Sequence, residues 1–516
     1  MSFRSAIGRQ IFYKDTGQEF SFFQLVDEEF RSWMVMRRIF SLARKANYES
    51  VLIDEIQEAD CPLLAEENAA LRVRLPGYSH SRVRKVSFFA TPIKMSPPPV
   101  SAFIGYAIFK EDFLANNPDR PKVCHVFEAV IRPFRQRNEN NFVHCCRDYK
   151  VQTSVGEFST SGVLYAQQND VTFVCAHVAL RTALSVVLPD ADITYPEMNR
   201  ILGIDHVARK VGGGVGLGPP DIETILRAKG IVWETSKHEP RARISLKQDY
   251  QRFLYGAIEC GQPALLGFET RPEKRGAPAV RHMICAFGHT FNEDAWVPLA
   301  QPMYFAEHTG YFPSENWLST FVVHDDNIGP YKCIPRHYIT NKHFRLLIGL
   351  QRTKTSLSSI EAEAVAFAAI TRIRETELLD QVSPHDDYWY TRFKIFARVS
   401  RIVIRTLLLK REEYIHHLIN IDAWEQKLSE EHLARLNGSL PEWFWVSEVS
   451  ALELFQASRR KFGEVLLSCE PRKGKGVFER YFLAARLPSR LFLAGVSLKK
   501  PLPTSITGHA TLFSFQ

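Results

Sequence analysis

The amino-acid sequence predicts an α+β protein built from three consecutive blocks. Residues 1–150 combine a helical pattern with apolar runs of strand type, residues 151–350 alternate amphipathic helices with strand-type segments, and residues 351–516 open on helical periodicity. A chain of 516 residues is too long for one hydrophobic core, so each block is expected to form a domain.

Composition places the chain among ordinary globular proteins, with 45% hydrophobic and 24% charged residues. The net charge of +8 is a mild excess for this length and does not predict a nucleic-acid-binding protein. The start, MSFRSAIGRQ, lacks the apolar core of a signal peptide, and no apolar stretch approaches the roughly 20 residues that span a membrane. The nine cysteines are scattered without a CxxC pair, which favours a reducing compartment. We therefore predict a cytoplasmic protein.

The first block is predicted to be a small α+β domain. A helix is expected over EEFRSWMVMRRIFSLARKA and a short strand over SVLID. After the turn-rich KMSPPPV, the runs FIGYAIF and VFEAVIRPF are typical of strands. No motif in this block indicates a function.

The second block contains a cysteine at the predicted start of a helix. The apolar spacing from Cys175 onward predicts about three helical turns, and Pro189 limits them. The positive end of the helix dipole and the unpaired N–H groups there favour a thiolate and can hold an oxyanion. A side-chain amide just upstream, from Gln167, Gln168 or Asn169, could supply a second donor. The competing interpretation is a buried core cysteine, which is common for free thiols.

Further segments follow this helix in a defined order. The acidic loop and short helix ITYPEMNRILGI precede the glycine run of residues 212–218. The next helix starts at Pro219 and Pro220, buries Ile222, Ile225 and Leu226, and ends at Gly230. The glycine run lacks a phosphate-loop signature and is interpreted as a flexible loop. Three strand-containing segments complete the series: YGAIECGQPALLGFE, RHMICAFGHT and TFVVHDDNIGPY.

This ordered series resembles the papain-like cysteine peptidases, and within them the bacterial double-glycine-leader peptidases, over about residues 160–335. The resemblance implies a cysteine helix packed on an antiparallel sheet, a protein or peptide substrate, and no metal or cofactor. It implies Cys175 as nucleophile, His282 as general base, and Asp325 or Asp326 as the group that orients the imidazole. Gln168 or Gln167 is implied as the oxyanion donor. The chain order Cys, His, Asp differs from that of caspase-like enzymes, where the histidine comes first.

Two departures from the family pattern leave alternatives open. Gln168 precedes Cys175 by seven residues instead of six, and Asn169 stands at six. Val174 and Ala176 replace the Asp and Gly that flank the cysteine of leader peptidases. The alternatives to a peptide or isopeptide hydrolase are an acyl transferase or deamidase with the same triad, and a catalytically silent papain-like binding module.

The partner residues can also be interpreted without the family. His282 begins a run of strand type, and a strand holds a base more rigidly than the turn that follows Gly288, where His289 stands. Asp325 ends the strand FVVH directly, whereas Asp326 keeps a family-like spacing to Gly329, so the sequence does not rank them. His177, two residues past the cysteine, lies on another helix face and is interpreted as structural.

The third block is predicted to be mainly helical. A capping box of Ser358 and Glu361 precedes one helix, and a second is expected over 388–418. On that second helix four basic residues would share one face: Lys394, Arg398, Arg401 and Arg405. We interpret them as a solvated face, with a docking strip for nucleic acid or lipid headgroups as the alternative. The C-terminal end is expected to contain short strands and turns.

Overall fold

The computed structural model divides the chain into two compact units. Unit 1 comprises residues 1–242, 262–288 and 321–350, and unit 2 comprises residues 243–261, 289–320 and 351–516. The residues that the structure describes are 9–13, 21–31, 33–93, 98–133, 141–169, 171–172, 174–188, 193–204, 216–237, 250–270, 280–291, 303–306, 309–340, 344–376, 388–398, 401–420, 428–455, 459–499, 501–504 and 510–514. Helices and mainly antiparallel sheets occur in both units, which confirms the α+β class. The division into three domains at residues 150 and 350 stays a prediction.

Unit 1 holds six α-helices among its described residues. A strand that crosses a boundary between the units is assigned to the unit that contains most of it. The helices are α1 Ser21–Glu29, α2 Met34–Lys45, α3 Pro62–Arg74, α4 Cys175–Val187, α5 Tyr195–Leu202 and α6 Pro219–Ala228. The strands are β1 Arg9–Tyr13, β2 Ser50–Glu55, β3 Tyr78–Phe89, β4 Phe103–Leu114, β5 Val123–Ile131, β6 Asn141–Val143, β7 Arg147–Thr153, β8 Gly156–Gly162, β9 Val232–Lys237, β10 Ala264–Thr270, β11 Val280–Phe291, β14 Leu318–Asp325, β15 Gly329–Pro335 and β16 Phe344–Gln351. Short 3-10 turns cover Glu58–Asp60, Val100–Ala102 and Arg336–Tyr338.

The first sheet of unit 1 is a five-stranded antiparallel meander in the order β1-β2-β3-β4-β5. Helices α1 and α2 bury their apolar side chains against it, in one core with the aromatic rings of Phe88 and Phe109. The single helix predicted over residues 28–46 is wrong in one respect. The structure has two helices here, α1 and α2. The chain leaves the helical conformation after α1, because Arg31 adopts a positive φ of 52° that a helix does not allow.

The second sheet of unit 1 has the strand order β15-β14-β11-β10-β16-β9, with β6 paired to β11. Strand β10 pairs antiparallel with both β11 and β16. Helix α4 starts at Cys175 as predicted and packs Leu180, Ala183 and Leu184 into the core that this sheet lines. The stripe predicted for α6 is also buried in this core. The cysteine helix therefore packs on a sheet whose central pairs are antiparallel.

Unit 2 is built on an eight-stranded sheet in the order β12-β13-β17-β18-β20-β21-β22-β23, in which β13 and β17 are parallel. Its helices are α7 Tyr250–Glu259, α8 Ser359–Thr376, α9 Tyr388–Arg398, α10 Arg411–Asn420, α11 Glu430–Ser439, α12 Leu452–Phe455 and α13 Val477–Tyr481, with a 3-10 turn at Ser314–Trp317. Its strands are β12 Met303–Ala306, β13 Thr309–Pro313, β17 Ile402–Lys410, β18 Trp443–Ala451, β19 Arg460–Lys461, β20 Gly463–Ser468, β21 Phe482–Leu487, β22 Arg490–Leu493, β23 Leu502–Pro503 and β24 Ala510–Thr511.

Residues 351–516 contain helices as predicted, but they also supply most strands of the eight-stranded sheet, so the mainly helical prediction missed the sheet on which this region is built. The predicted helix over 388–418 ends at Arg398, and residues 402–410 form the buried strand β17. A short continuous apolar run such as IVIRTLLL suits a buried strand as well as a buried helix, so periodicity could not decide between them. The capping box is confirmed, since Ser358 and Glu361 exchange hydrogen bonds.

The prediction that four basic residues share one helix face is therefore also wrong. Lys394 and Arg398 lie on α9, Arg401 precedes β17 and pairs with Glu453, and Arg405 is buried in β17. These residues form neither one solvated helix face nor one docking strip. Over the described ranges, no helix combines the length and hydropathy that crossing a membrane requires.

A row of buried charged residues crosses one face of the unit 2 sheet. Arg405, Glu448, Glu464 and Arg486 stand opposite one another on β17, β18, β20 and β21. Arg405 pairs with Glu448 at 2.9 Å, and Arg486 Nε donates to Glu464 at 2.9 Å. Lys461 Nζ bridges the two glutamates at 2.8 and 2.7 Å. These side chains are at most 2% exposed, so we call them the buried ion row.

Candidate active site

Cys175 is the first residue of α4 and its side chain is partly exposed. Val174 before it is extended, and the carbonyl oxygen of Val174 accepts hydrogen bonds from the N–H groups of His177 and Val178. The earlier N–H groups of a helix have no partner within the helix, and the aligned peptide dipoles make this end electropositive. The sulfur is therefore placed where negative charge is stabilised.

His282 on β11 lies between the cysteine and the acidic turn. Its side chain lies close enough to Cys175 for the thiol to influence the imidazole. Its Nε2 lies 3.2 Å from Oδ1 of Asp325, so Nδ1 on the opposite edge of the ring is the nitrogen that is available to the sulfur. Phe268, the cross-strand neighbour on β10, meets the imidazole edge to face at 5.3 Å. The strand and this ring contact hold the imidazole in one orientation.

The two aspartates of the turn are not equivalent. Asp325 Oδ1 accepts hydrogen bonds from the N–H groups of Asn327 at 2.9 Å and Ile328 at 3.3 Å, as well as from His282. Asp326 Oδ1 lies 3.4 Å from the same Nε2, a distance that gives an ion pair. The backbone N–H groups fix the carboxylate of Asp325 toward the imidazole, so the geometry favours Asp325 as its orienting partner.

The surrounding charges favour an imidazolium. Burial would lower the pKa of His282, but the hydrogen bond with Asp325, the nearby thiol of Cys175 and the charge of Asp326 outweigh it and raise the pKa to about 10. Burial would likewise raise the pKa of Asp325, but the hydrogen bond and charge of His282, helped by two backbone N–H groups, hold it below its ordinary value. At neutral pH the pair is thus a carboxylate and an imidazolium.

Gln167 is a structural residue in this arrangement. Its Oε1 accepts from Trp33 Nε1 and from the N–H of Val126, both at 2.9 Å. Its Nε2 donates to the carbonyl oxygen of Asp326 at 2.9 Å. The side chain is buried and ties β5 and the aspartate turn together, so we do not assign it to an oxyanion.

The side chain of Asn169 is also occupied by hydrogen bonds within the protein. Its Oδ1 accepts from the N–H groups of Val171 and Thr172 at 3.0 and 2.9 Å. Its Nδ2 donates to Thr172 Oγ1 at 2.8 Å and to Glu67 Oε1 at 3.1 Å. All the hydrogen-bonding capacity of the donor group is used to shape the turn before Cys175.

Gln168 differs from its two neighbours because it is only half-buried and lies beside the catalytic candidates. Its Nε2 is 3.4 Å from Oδ1 of Asn327, and Nδ2 of Asn327 is 3.4 Å from Nε2 of His282. Both contacts are long and polar, so a substrate oxygen could compete for the Gln168 amide. Of the three amides, Gln168 is the one that the geometry favours as an oxyanion donor.

A buried cluster behind the cysteine turn was missed at the sequence level. Glu67 on α3 accepts from Lys110 Nζ at 3.1 Å and from Asn169, and its Oε1 lies 3.3 Å from His125 Nε2. Glu67, Asp112 and His125 have the spacing of a metal site, but Lys110 also bonds Asp112 and already supplies a cation there. The signal available in the sequence was the charged triplet KED inside the apolar strand β4.

The other histidines near the cysteine and the histidine strand have structural partners. Nδ1 of His177 accepts from the N–H of Val174 at 3.4 Å, and its Nε2 lies 2.9 Å from Oδ1 of Asn199. His289 belongs to unit 2, where its imidazole bonds the carboxylate of Glu259. His289 lies on the strand β11 and not in the turn expected after Gly288, but its partner Glu259 gives it a different environment from that of His282.

The comparisons with known proteins found no relative from which a role of the site could be inferred, so the site is interpreted from its geometry. No protein-family model matches the chain, and no curated protein is significantly similar to it. The resemblance to papain-like peptidases therefore stays a hypothesis, and it depends on the arrangement of Cys175, His282 and Asp325.

The two aspartates should respond differently to loss of charge. We expect Asp325→Asn to slow alkylation of Cys175 by about ten-fold or more, because it replaces the acceptor that orients His282. Asp326→Asn should change the rate less, because it removes only a charge near the same nitrogen. Alkylation rates of both variants, measured beside the parent protein, test this ranking. A larger loss in Asp326→Asn would reverse the assignment.

The proton on His282 should make stability depend on pH. The unfolded chain holds this proton only below about pH 6.5, whereas the folded protein keeps it up to about pH 10. Its contribution to stability is therefore complete below pH 6.5 and is lost as the pH rises through 10. We expect the difference in Tm between the parent and His282→Gln to shrink from about pH 6 to about pH 10. The exposed His337→Gln variant is the control, and a constant difference for His282→Gln would contradict the prediction.

Proposed function

We propose that this protein is a thiol-dependent hydrolase of peptide or isopeptide bonds, with a papain-like domain within residues 151–350. The observation that supports the proposal best is the relay from Cys175 through His282 to Asp325. The nucleophile stands at a helix N-terminus, the base on a strand, and the acid at the end of a neighbouring strand. This is the arrangement that activates a thiol for attack on a carbonyl group.

The proposed reaction proceeds in two steps. The thiolate of Cys175 attacks the carbonyl carbon, and the imidazolium of His282 protonates the amine as the C–N bond breaks, which leaves a thioester and a neutral imidazole. His282 then removes a proton from water, the hydroxyl oxygen adds to the thioester carbon, and the C–S bond breaks to release the acid and the thiolate. Asp325 stabilises the imidazolium whenever it forms.

The negative oxygen of each tetrahedral intermediate needs hydrogen-bond donors. The first N–H groups of α4 lie next to the sulfur and have no partner within the helix. Gln168 supplies a side-chain amide from the preceding turn. Gln167 and Asn169 support this turn by their bonds to Asp326 and Glu67.

An uncharged thiol reagent tests the first part of the proposal. Iodoacetamide at about pH 6 should alkylate Cys175 much faster than Cys333, an exposed cysteine in the same unit, because only Cys175 has an imidazolium partner. Peptide mass mapping should show label at Cys175 in the parent protein and in Cys333→Ala. Cys175→Ala should lose this fast label. Equal rates at both positions would favour the silent binding module instead.

The products distinguish hydrolysis from acyl transfer. A peptide library incubated with the parent protein should release new carboxyl and amino termini in hydrolysis, and Cys175→Ala should release none. Transfer to an added amine such as hydroxylamine, or ammonia release from glutamine peptides, would instead indicate an acyl transferase or a deamidase.

A further inference from the structure

The turn between β14 and β15 carries Asp325, and helix α2 of the first sequence block holds the far end of this turn. The N–H of Ile328 closes the turn by donating to the carbonyl oxygen of Asp325 at 3.2 Å. Arg38 on α2 donates from Nε to the carbonyl oxygen of Pro330 at 3.2 Å, and from Nη2 to that of Tyr331 at 2.6 Å. All of these residues belong to unit 1. One guanidinium therefore fixes two consecutive peptide groups at the start of β15.

Helix α2 packs tightly against this end of the turn. Gly329 adopts a φ of 118°, which favours glycine. A Cβ atom at this position would lie only 3.1 Å from Cγ of Arg38 and 3.9 Å from Cγ1 of the buried Val35. Glycine thus allows a closer approach of the helix than a side chain would.

Tyr331 depends on such support because its φ of 50° is uncommon for a residue with a side chain. Burial lowers the pKa of His324 to about 3, so its ring is neutral, and its Nδ1 accepts from the N–H of Tyr331 at 3.1 Å. The hydroxyl of Tyr331 donates to the carbonyl oxygen of Ile131 at 2.8 Å. Backbone strain persists only where the surroundings fix it. Loss of the hydrogen bonds from Arg38 would therefore let the start of β15 relax.

The residue just before α2 holds the other end of the turn. Trp33 donates to Gln167, and Gln167 donates to the carbonyl oxygen of Asp326 at 2.9 Å. The N–H groups of residues 327 and 328, which hold the carboxylate of Asp325, lie between this point and Pro330 in the chain. The direction of that carboxylate thus depends on a segment that is fixed at both ends from the start of α2.

We propose that Arg38 is a positioning residue for the relay: by holding the start of β15, it fixes the turn whose N–H groups direct Asp325 toward His282. The hydrogen bonds of Arg38 go to backbone carbonyl groups and not to reacting atoms, so its effect passes through Asp325. This role rests on the proposed function. It gives helix α2 a part in a site whose reacting groups all lie within residues 151–350.

The test compares Arg38→Gln with Arg37→Gln, a change at the neighbouring position of the same helix. Arg37 is half-exposed and pairs with Asp27, so it is a matched control. Both variants are made in Cys333→Ala protein, because Cys333 lies close enough to Arg38 to influence its charge. Iodoacetamide alkylation of the remaining active-site thiol is then followed against pH.

We expect Arg38→Gln to slow alkylation of Cys175 about ten-fold at pH 6 and to move the midpoint of its pH–rate profile upward by about one pH unit. A misdirected Asp325 stabilises the imidazolium less, so the thiolate forms only at higher pH. Arg38→Lys should move the midpoint in the same direction by less, because one ammonium replaces two fixed donors. Arg37→Gln should keep the midpoint of the parent. A merely less stable protein would also keep it.

The titration of His282 tests the same role without a reactive thiol. The charged groups that act on this imidazole are Asp325, Asp326 and Cys175, so in Cys175→Ala protein its pKa reports on the aspartates. NMR of histidine labelled with carbon-13, assigned with His282→Gln, measures this pKa. Arg38→Gln should lower it by about one pH unit, the same size as the shift of the alkylation midpoint.

The outcomes separate the positioning role from the proposed function. An unchanged pKa of His282 in folded Arg38→Gln protein, or an equal decrease in the Arg37→Gln control, would overturn the role of Arg38. If Arg38→Gln does not fold, the same criterion applies to Arg38→Lys. If Cys175 of the parent does not react faster than Cys333, the proposed hydrolase function fails, while the titration still decides whether Arg38 positions the turn.

Discussion

Replacing His282 with alanine is expected to lower the alkylation rate of Cys175 and any peptide turnover by about 100-fold to 10,000-fold, the range typical of a lost general acid–base group. The side chain contacts the nucleophile on one edge and Asp325 on the other, so its removal breaks the relay at its centre. The measurement is the second-order rate constant for an uncharged alkylating reagent, followed by turnover of a peptide that the parent protein cleaves.

His337→Ala is the matched control for this experiment because His337 is exposed and lies in the same unit. It should leave both rates unchanged. Circular dichroism and the thermal transition should show that His282→Ala stays folded. Parent-like alkylation in a folded His282→Ala protein would exclude His282 as the base.

The second large effect is expected on stability, at the buried ion row of unit 2. Glu464→Gln should lower the free energy of unfolding of this unit by about 3–5 kcal/mol, because it leaves Lys461 and Arg486 buried with less compensating charge. Glu464 also accepts a hydrogen bond from Tyr414, so its replacement disturbs three buried partners. Denaturant unfolding followed by tryptophan fluorescence measures the change.

Glu431→Gln is the control for this prediction. Glu431 pairs with Arg435 on the exposed side of α11, where side chains are 70% and 53% exposed, and loss of such a pair should change stability by less than about 1 kcal/mol. A Glu464→Gln protein as stable as the control would contradict the prediction that the charge of Glu464 stabilises the buried ion row.

The candidate site could be predicted in part because its members stand at local structural signals. Cys175 follows a polar turn and precedes a helical period, His282 begins an apolar strand, and Asp325 ends another. Each signal depends on a few neighbouring residues, so it can be recognised in the sequence without the tertiary structure. The choice between Asp325 and Asp326 could not be made in this way. It depends on which carboxylate the backbone N–H groups of the turn direct toward the imidazole.

The choice among the side-chain amides upstream of Cys175 also could not be made from local sequence signals. Spacing from the cysteine made Asn169 as good a candidate as Gln168. Asn169 is excluded because its amide donates to Thr172 nearby and also to Glu67, a residue about a hundred positions earlier. The residues near Asn169 in the sequence do not indicate that Glu67 is its partner.

The sequence by itself determined the α+β class, the start of the cysteine helix and the strands that hold the histidine and the aspartates, because these features follow from short-range periodicity and turn chemistry. Only the tertiary structure decided that residues 402–410 are a buried strand, that Arg405 belongs to an ion row, and that the cluster around Glu67 supports the turn before Cys175. The physical reason is that burial and ion pairing are set by residues distant in the chain. An apolar run or a lone arginine looks the same in the sequence whether those partners are present or not.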